Sequence, residues 1–381
     1  MPPRKTPLNR GLIALGLGAG MAAAGAATAQ DATLETSLGE AQLSTIATGL
    51  NEPWAIAFLP QGEVLVSERD GRLLHFRDGE QHEVTGLPEV FAQGQGGLLD
   101  VVVPQDFDTT REILFSFARP QGQGAGTALA AAAFDPEASE LSNLRILFEA
   151  AEGFDGGRHF GSRIVEGPDG TVFLGLGDRG TDDSAQDLSN HNGAVIRVNR
   201  DGSVPADNPF VGQEGAQPEI WSYGHRNIQG AAMDAQGRLW VSEHGAQGGD
   251  EINLVEPGLN YGWPEIAYGR NYDGTPIGIG TEAPGMEQPD HYWDPSPAPS
   301  GHMIYSGTLW PEWEGHHFIG MLQGDHIARL DPADWSEEQI ASGETIRIRD
   351  VREAPDGTIW FLSIGQGALI RMAPADADLT E

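Results

Sequence analysis

The stretch Gly157-Arg-His159-Phe-Gly-Ser-Arg163-Ile sets a histidine in a glycine-flanked loop at the entry to an apolar run, and Asp178 follows at the exit of the next run. If the two runs pair as a hairpin, the carboxylate can reach the imidazole, fix its tautomer and leave the other ring nitrogen as a general base. A structural histidine has the same sequence signature, so the pair alone leaves both readings open. Trp221-Ser-Tyr-Gly-His-Arg226-Asn227 is a second polar cluster between apolar runs, and Ser242-Glu243-His244-Gly245-Ala246-Gln-Gly-Gly-Asp250-Glu251-Ile-Asn253 is a third. The third packs carboxylates, amides and flexible carbonyls around glycines, the hard oxygen donors that calcium takes. Asn260-Tyr261-Gly262-Trp263 follows as an aromatic turn. Arg347-Ile-Arg349-Asp350 alternates as a strand would, so both arginines should face one side. Two like charges there require an anionic partner, either acidic side chains or a carboxylated ligand.

Other signals carry less. Gly175-Leu-Gly177-Asp-Arg-Gly180 formally matches a dinucleotide-binding fingerprint, but the acidic run that follows is a loop and offers no helix N-terminus to an anion. Asp178, Asp182, Asp183 and Asp187 lack EF-hand spacing and read as a solvated acidic loop. His302, His316 and His317 have no ligand spacing and read as structural or surface residues.

The elements that must position these residues are strands. A turn phrase recurs at Leu59-Pro-Gln-Gly62, Gly167-Pro-Asp-Gly170, Asp234-Ala-Gln-Gly237 and Ala354-Pro-Asp-Gly357, each time between two apolar β-rich runs. That is a hairpin signature with glycine supplying the positive φ. The copies are 108, 67 and 120 residues apart, so long loops must interrupt some repeats. Residues 264–301, rich in proline, glycine and aromatics, form the clearest such loop and are expected at a substrate mouth. Helical periodicity is poor, with 128–133 the best short candidate. The pattern predicts an all-β fold, a six-bladed β-propeller of four-stranded antiparallel blades, with a large β-sandwich as the alternative. Glycine and proline number 52 and 25, which suits so many turns.

Acids outnumber bases by 56 to 22, for a net charge of −34. Nucleic acid and anionic lipid are poor partners for such a surface. There is no cysteine, which excludes disulfides, thiolate metal sites and thiol catalysis. Arg4, Lys5 and Arg10 precede a Gly/Ala-rich apolar stretch that ends in Ala27-Thr28-Ala29, the pattern of a secretory signal cleaved after Ala29. Residues 30–381 would then be one soluble exported domain of net charge −37, without a membrane span. Its cationic side chains would be 19 arginines, since Lys5 is the only lysine.

Read in order, a longer set of phrases resembles one family. They are Pro53-Trp54-Ala-Ile-Ala-Phe58, Gly94-Gln95-Gly-Gly-Leu-Leu-Asp100, Arg158-His159-Phe-Gly-Ser-Arg163, Leu176-Gly-Asp178, Gly224-His-Arg226-Asn227-Ile-Gln-Gly230, Glu243-His-Gly245, Gly249-Asp250-Glu251-Ile-Asn253, Asn260-Tyr-Gly-Trp263 and Arg347-Ile-Arg349-Asp-Val351. The set is similar to the soluble glucose/sorbosone dehydrogenases, quinoprotein aldose sugar dehydrogenases that use pyrroloquinoline quinone (PQQ) and calcium on a six-bladed propeller. The resemblance implies a base at His159, oriented by Asp178, that takes the proton of the anomeric hydroxyl. It implies PQQ contacts from Gln95, Arg226, Asn227, Arg347 and Arg349, with Arg226 at the quinone oxygen. Gln323 falls at a further PQQ contact where the family usually has lysine. The carbonyls of Gly245 and Ala246 match ligands of the calcium that chelates PQQ, and Glu251 and Tyr261 lie at positions near a second calcium. The implied activity is oxidation of aldoses to lactones in the periplasm, with a cytochrome or membrane quinone as electron acceptor. A calcium-dependent propeller lactonase and a non-catalytic binding propeller are the competing readings.

Overall fold

The computed structural model describes residues 31–122, 124–151 and 156–377; the leader assigned to residues 1–29 lies outside them. Six antiparallel sheets of four strands are arranged in chain order, the last widened by a fifth strand. The innermost strands are Pro53–Phe58, Leu98–Val102, Ile164–Glu166, Ile228–Met233, Pro299–Ile304 and Ile348–Glu353, one per blade, and we number the blades one to six accordingly. The protein is a six-bladed β-propeller.

The recurring turn phrase has one structural meaning. Gly62, Gly170, Gly237 and Gly357 all adopt positive φ, between 75° and 85°. Each closes the hairpin from the first to the second strand of its blade, with its amide bonded to the carbonyl three residues back. The uneven spacing follows, because blades two and five make this connection differently. Blade two uses the short helix Phe107–Thr110, and blade five a 3-10 turn at Pro311–Trp313.

Residues 128–133 are not helical. They lie within the strand Gly124–Asp135, buried along nearly its whole length. Ala128, Ala130 and Ala132 pack into the cluster shared with blade one, while Leu129 and Ala131 pack into the cluster shared with blade three. A strand sandwiched on both faces needs small side chains, and that packing overrides the helical propensity of alanine.

The core is likewise divided into wedges. Each of the six interfaces between neighbouring blades has its own apolar cluster, such as Ile56, Val66, Leu362 and Leu369 between blades one and six. The ring closes through the chain's own ends. Gly39–Thr48 pairs antiparallel with Ala368–Pro374 and completes blade six.

Near the axis the innermost strands meet through polar groups. The guanidinium of Arg163, from blade three, is fully buried between Asp100 of blade two and Asp350 of blade six, at 3.2 and 3.1 Å. It also donates to the carbonyls of Gln229 and Arg349 and lies over the Trp54 ring. Space there is tight. A Cβ built on Gly301 would stand 2.6 Å from the Cα of Asp350. His302 and His317, read from sequence as structural or surface, are a buried hydrogen-bonded pair. Among the described residues, no helix is long and apolar enough to cross a membrane.

Candidate active site

His159 and Asp178 flank the hairpin formed by Ile164–Glu166 and Val172–Gly175, and this brings them together. His159 Nδ1 lies 2.6 Å from Asp178 Oδ1. The same carboxylate accepts the Gly180 amide at 2.7 Å and the Trp263 indole at 2.8 Å. Burial alone would raise the Asp178 pKa. The bond from His159, its charge, the Gly180 amide and Arg226 outweigh burial and hold the carboxyl below its ordinary value. An ionised Asp178 keeps the proton on Nδ1, so Nε2 carries the lone pair. Among the described residues, Nε2 has no hydrogen-bond partner. The backbone of His159 is held as well, at φ 54°, with its amide donating to Gln95 Oε1 at 2.7 Å.

Beside this pair, at the end of the propeller axis, opens a cavity of about 580 Å³. Gln95, Asn227, Gln229, His244, Gln323, Arg347 and Arg349 line it, together with Arg69, Trp54 and Phe160. Arg349 donates to Gln229 Oε1 at 3.0 Å, but its buried Nε has no partner. Removal from water, then the charges of Arg163, Arg69 and Arg347, push its guanidinium down to about 9. Glu52 is the single acidic side chain on that wall. His244 donates from Nε2 to the Pro299 carbonyl at 2.7 Å. Burial, with Arg349 and Arg226 nearby, pushes it to about 3, so it is a neutral ring in the wall.

The two arginines read as alternating on a strand reach the cavity by another route. Arg347 precedes the strand Ile348–Glu353 with φ 53°, and the register slips between Ile348 and Asp350. A left-handed residue plus a bulge brings both side chains to the cavity, where strict alternation does not apply.

Gly245, Ala246, Glu251 and Tyr261 line one narrow adjoining cavity with Arg226, Glu243, His244 and Trp263. Arg226 donates to the carbonyls of His244 and Gly245, and its buried Nε is unpartnered. Burial, then Glu243 and Asp250, raise the Glu251 carboxyl well above its usual range. A cation would relieve that. The Tyr261 hydroxyl is already engaged, donating to the Leu254 carbonyl and accepting the Glu256 amide. Among the described residues, no three His, Asp or Glu side chains are grouped to hold a metal. A cation here would therefore depend chiefly on carbonyls, with Glu251 and Glu243 the acids on the cavity wall.

The family model described as Glucose / Sorbosone dehydrogenase matches residues 50–371. The chain belongs to that family. It is 40% identical over 336 residues to the aldose sugar dehydrogenase YliI of Escherichia coli, covering 85% of this chain and 91% of the relative. It is 29% identical to quinoprotein glucose dehydrogenase B of Acinetobacter calcoaceticus, over 73% of this chain and 63% of that one. The PQQ-bound aldose sugar dehydrogenase of Streptomyces coelicolor superposes with a TM-score of 0.72 at 28% identity, covering 91% of this chain and 98% of that structure.

In this member of the family, the residues singled out from sequence lie around two adjoining cavities, with His159 and Asp178 beside them. Several that matter were not singled out. Trp263 lies 85 residues from Asp178, and its residue type alone carries no sign of the bond between them. Glu243 holds the site from behind, bonded to His225 Nδ1 at 2.8 Å and to the Arg226 amide at 2.6 Å. Trp54, Gln229 and Arg69 also face the cavity. A carboxylate opening the Glu243-His-Gly phrase was the one available signal.

Proposed function

We propose that the protein is an exported, PQQ- and calcium-dependent dehydrogenase that oxidises aldoses at the anomeric carbon to lactones and passes electrons to a periplasmic cytochrome or a membrane quinone. The observation that carries this reading is the large cavity. Its wall is rich in arginine, one buried guanidinium there lacks an anion, and an oriented imidazole stands beside it. A tricarboxylate cofactor answers the first two features, and a sugar hydroxyl answers the third.

PQQ, when bound, is the two-electron acceptor for the sugar. The chain's own residues bind, orient and move a proton. Arg347 and Arg349 would meet carboxylates, with Gln95, Asn227 and Gln323 as polar wall contacts. Arg226, held by the carbonyls of His244 and Gly245, would direct a guanidinium at a carbonyl oxygen of the cofactor. Calcium would use the Gly245 and Ala246 carbonyls, with Glu251 and the Tyr261 main chain at a second site. His159 Nε2 takes the anomeric proton, and Asp178 stabilises the imidazolium so formed. Export rests on the basic start, apolar stretch and Ala-x-Ala end of residues 1–29.

The test is reconstitution of the purified protein with PQQ and calcium, followed by absorbance and by dye reduction across an aldose panel. The expected result is a calcium-dependent PQQ spectral shift and turnover that fails in His159→Ala. Absence of both shift and turnover overturns the reading.

A further inference from the structure

We propose that Arg69 is a third cationic contact for the carboxylated cofactor, supplied by blade one beside the arginines of the neighbouring blade six. The inference rests on the cofactor reading above. Arg69 follows directly on the strand Val64–Glu68, and its side chain, 23% exposed, lines the large cavity together with Arg347 and Arg349. Two contacts hold it there, a salt bridge to Glu52 and a bond to the Gly94 carbonyl. Glu52 is the single acid on the cavity wall, and its side chain is 54% exposed.

Three guanidiniums therefore face one solvated carboxylate, in a chain whose net charge is −34. Positive charge concentrated inside so acidic a protein requires an anion at that place. Arg349 lies within reach of the Arg69 charge, so an anion between them would relieve Arg349. Glu52 bonds one edge of the Arg69 guanidinium, and the fork has donors left for a carboxylate ligand.

The test is titration of the metal-supplemented apoprotein with PQQ, followed by absorbance at several salt concentrations. In Arg69→Gln the Kd should rise about tenfold or more, with a shallower salt dependence. In Glu52→Gln, which removes the competing carboxylate, PQQ should bind more tightly. In Arg69→Gln with Gln323→Lys, a cation returned to the cavity wall should recover part of the loss. If the unsubstituted protein binds no PQQ, the cofactor reading itself fails. If it binds, and Arg69→Gln keeps both Kd and salt slope, the Arg69 contact alone is overturned. A weaker Kd with an unchanged slope also overturns it, because Arg69 would then only hold Gly94 in place. Should Arg69→Gln not fold, unchanged affinity in Glu52→Gln decides against the contact.

Discussion

The indole of Trp263 donates to Asp178 Oδ2 at 2.8 Å, while His159 engages the other oxygen of the same carboxylate. The aromatic turn of blade four thus sets the angle of a carboxylate in blade three, and through it the imidazole. Trp263→Phe keeps the ring packing and removes one donor. We expect kcat to fall about three- to tenfold, the equivalent of one net hydrogen bond of about 1 kcal/mol, with KM little changed. Asp178→Asn should cost about a thousandfold or more, since an amide does not hold the imidazole in the required tautomer. Steady-state kinetics on the reconstituted enzyme check both. Equal losses in the two variants would refute this division of roles.

Arg163 pins three innermost strands, two through the buried carboxylates of Asp100 and Asp350 and one through the Gln229 carbonyl. Arg163→Met leaves two buried carboxylates, Asp100 and Asp350, to share one remaining cation, Arg352, at 3.5 and 3.1 Å. A loss of about 3–5 kcal/mol is expected in urea unfolding. Adding Asp100→Asn should recover part of it, because Arg352 then balances the single remaining carboxylate of Asp350. No recovery would show that Arg163 acts through packing alone.

Gly301→Ala tests the tightness of the axis. The new methyl group would meet the backbone of Asp350, which cannot swing aside as a flexible side chain can. A destabilisation of about 3 kcal/mol is expected, visible as a lower Tm. A Tm within a degree of the parent would contradict the close approach.

Acid should weaken the fold in two stages. Burial pushes His317 from 6.5 to about 4. Between those values the unfolded chain binds a proton that the folded one does not, so stability is full above 6.5 and declines toward pH 4. Glu337 is brought from 4.5 to about 2, chiefly by the bond from His326, with Trp293 assisting against burial. Its stabilisation is present above 4.5 and is lost as pH falls toward 2. Thermal melts from pH 7 to 3 should show a shallower upper stage in His317→Gln and a shallower lower stage in Glu337→Gln. Unchanged slopes would refute the assignment.

Much of the propeller was legible because a hairpin turn is local. Gly62, Gly170, Gly237 and Gly357 announce themselves by residue type, and their positive φ is set within four residues. The His159–Asp178 pair was legible for a related reason, since one hairpin brings it together. Other features depend on distant chain. The strand at Gly124–Asp135 reads as weakly helical because only its neighbours on both faces demand small residues. Arg347 and Arg349 seemed to follow strand alternation, but a bulge and a left-handed residue replace it. Trp263, Gln229 and Arg69 gain their meaning only when separate blades converge on the two adjoining cavities.

Gly39–Thr48 is among the first strands to be synthesised, and its partner Ala368–Pro374 is the last. The early strand must wait, with one edge unpaired, until Ala368–Pro374 has been made. Ring closure therefore reports that synthesis has passed Pro374. A product truncated before Ala368 keeps an open sheet edge, a ready mark for proteolysis or aggregation. A circular permutant that joins the present ends and opens a different inter-blade loop would move that waiting time to another blade.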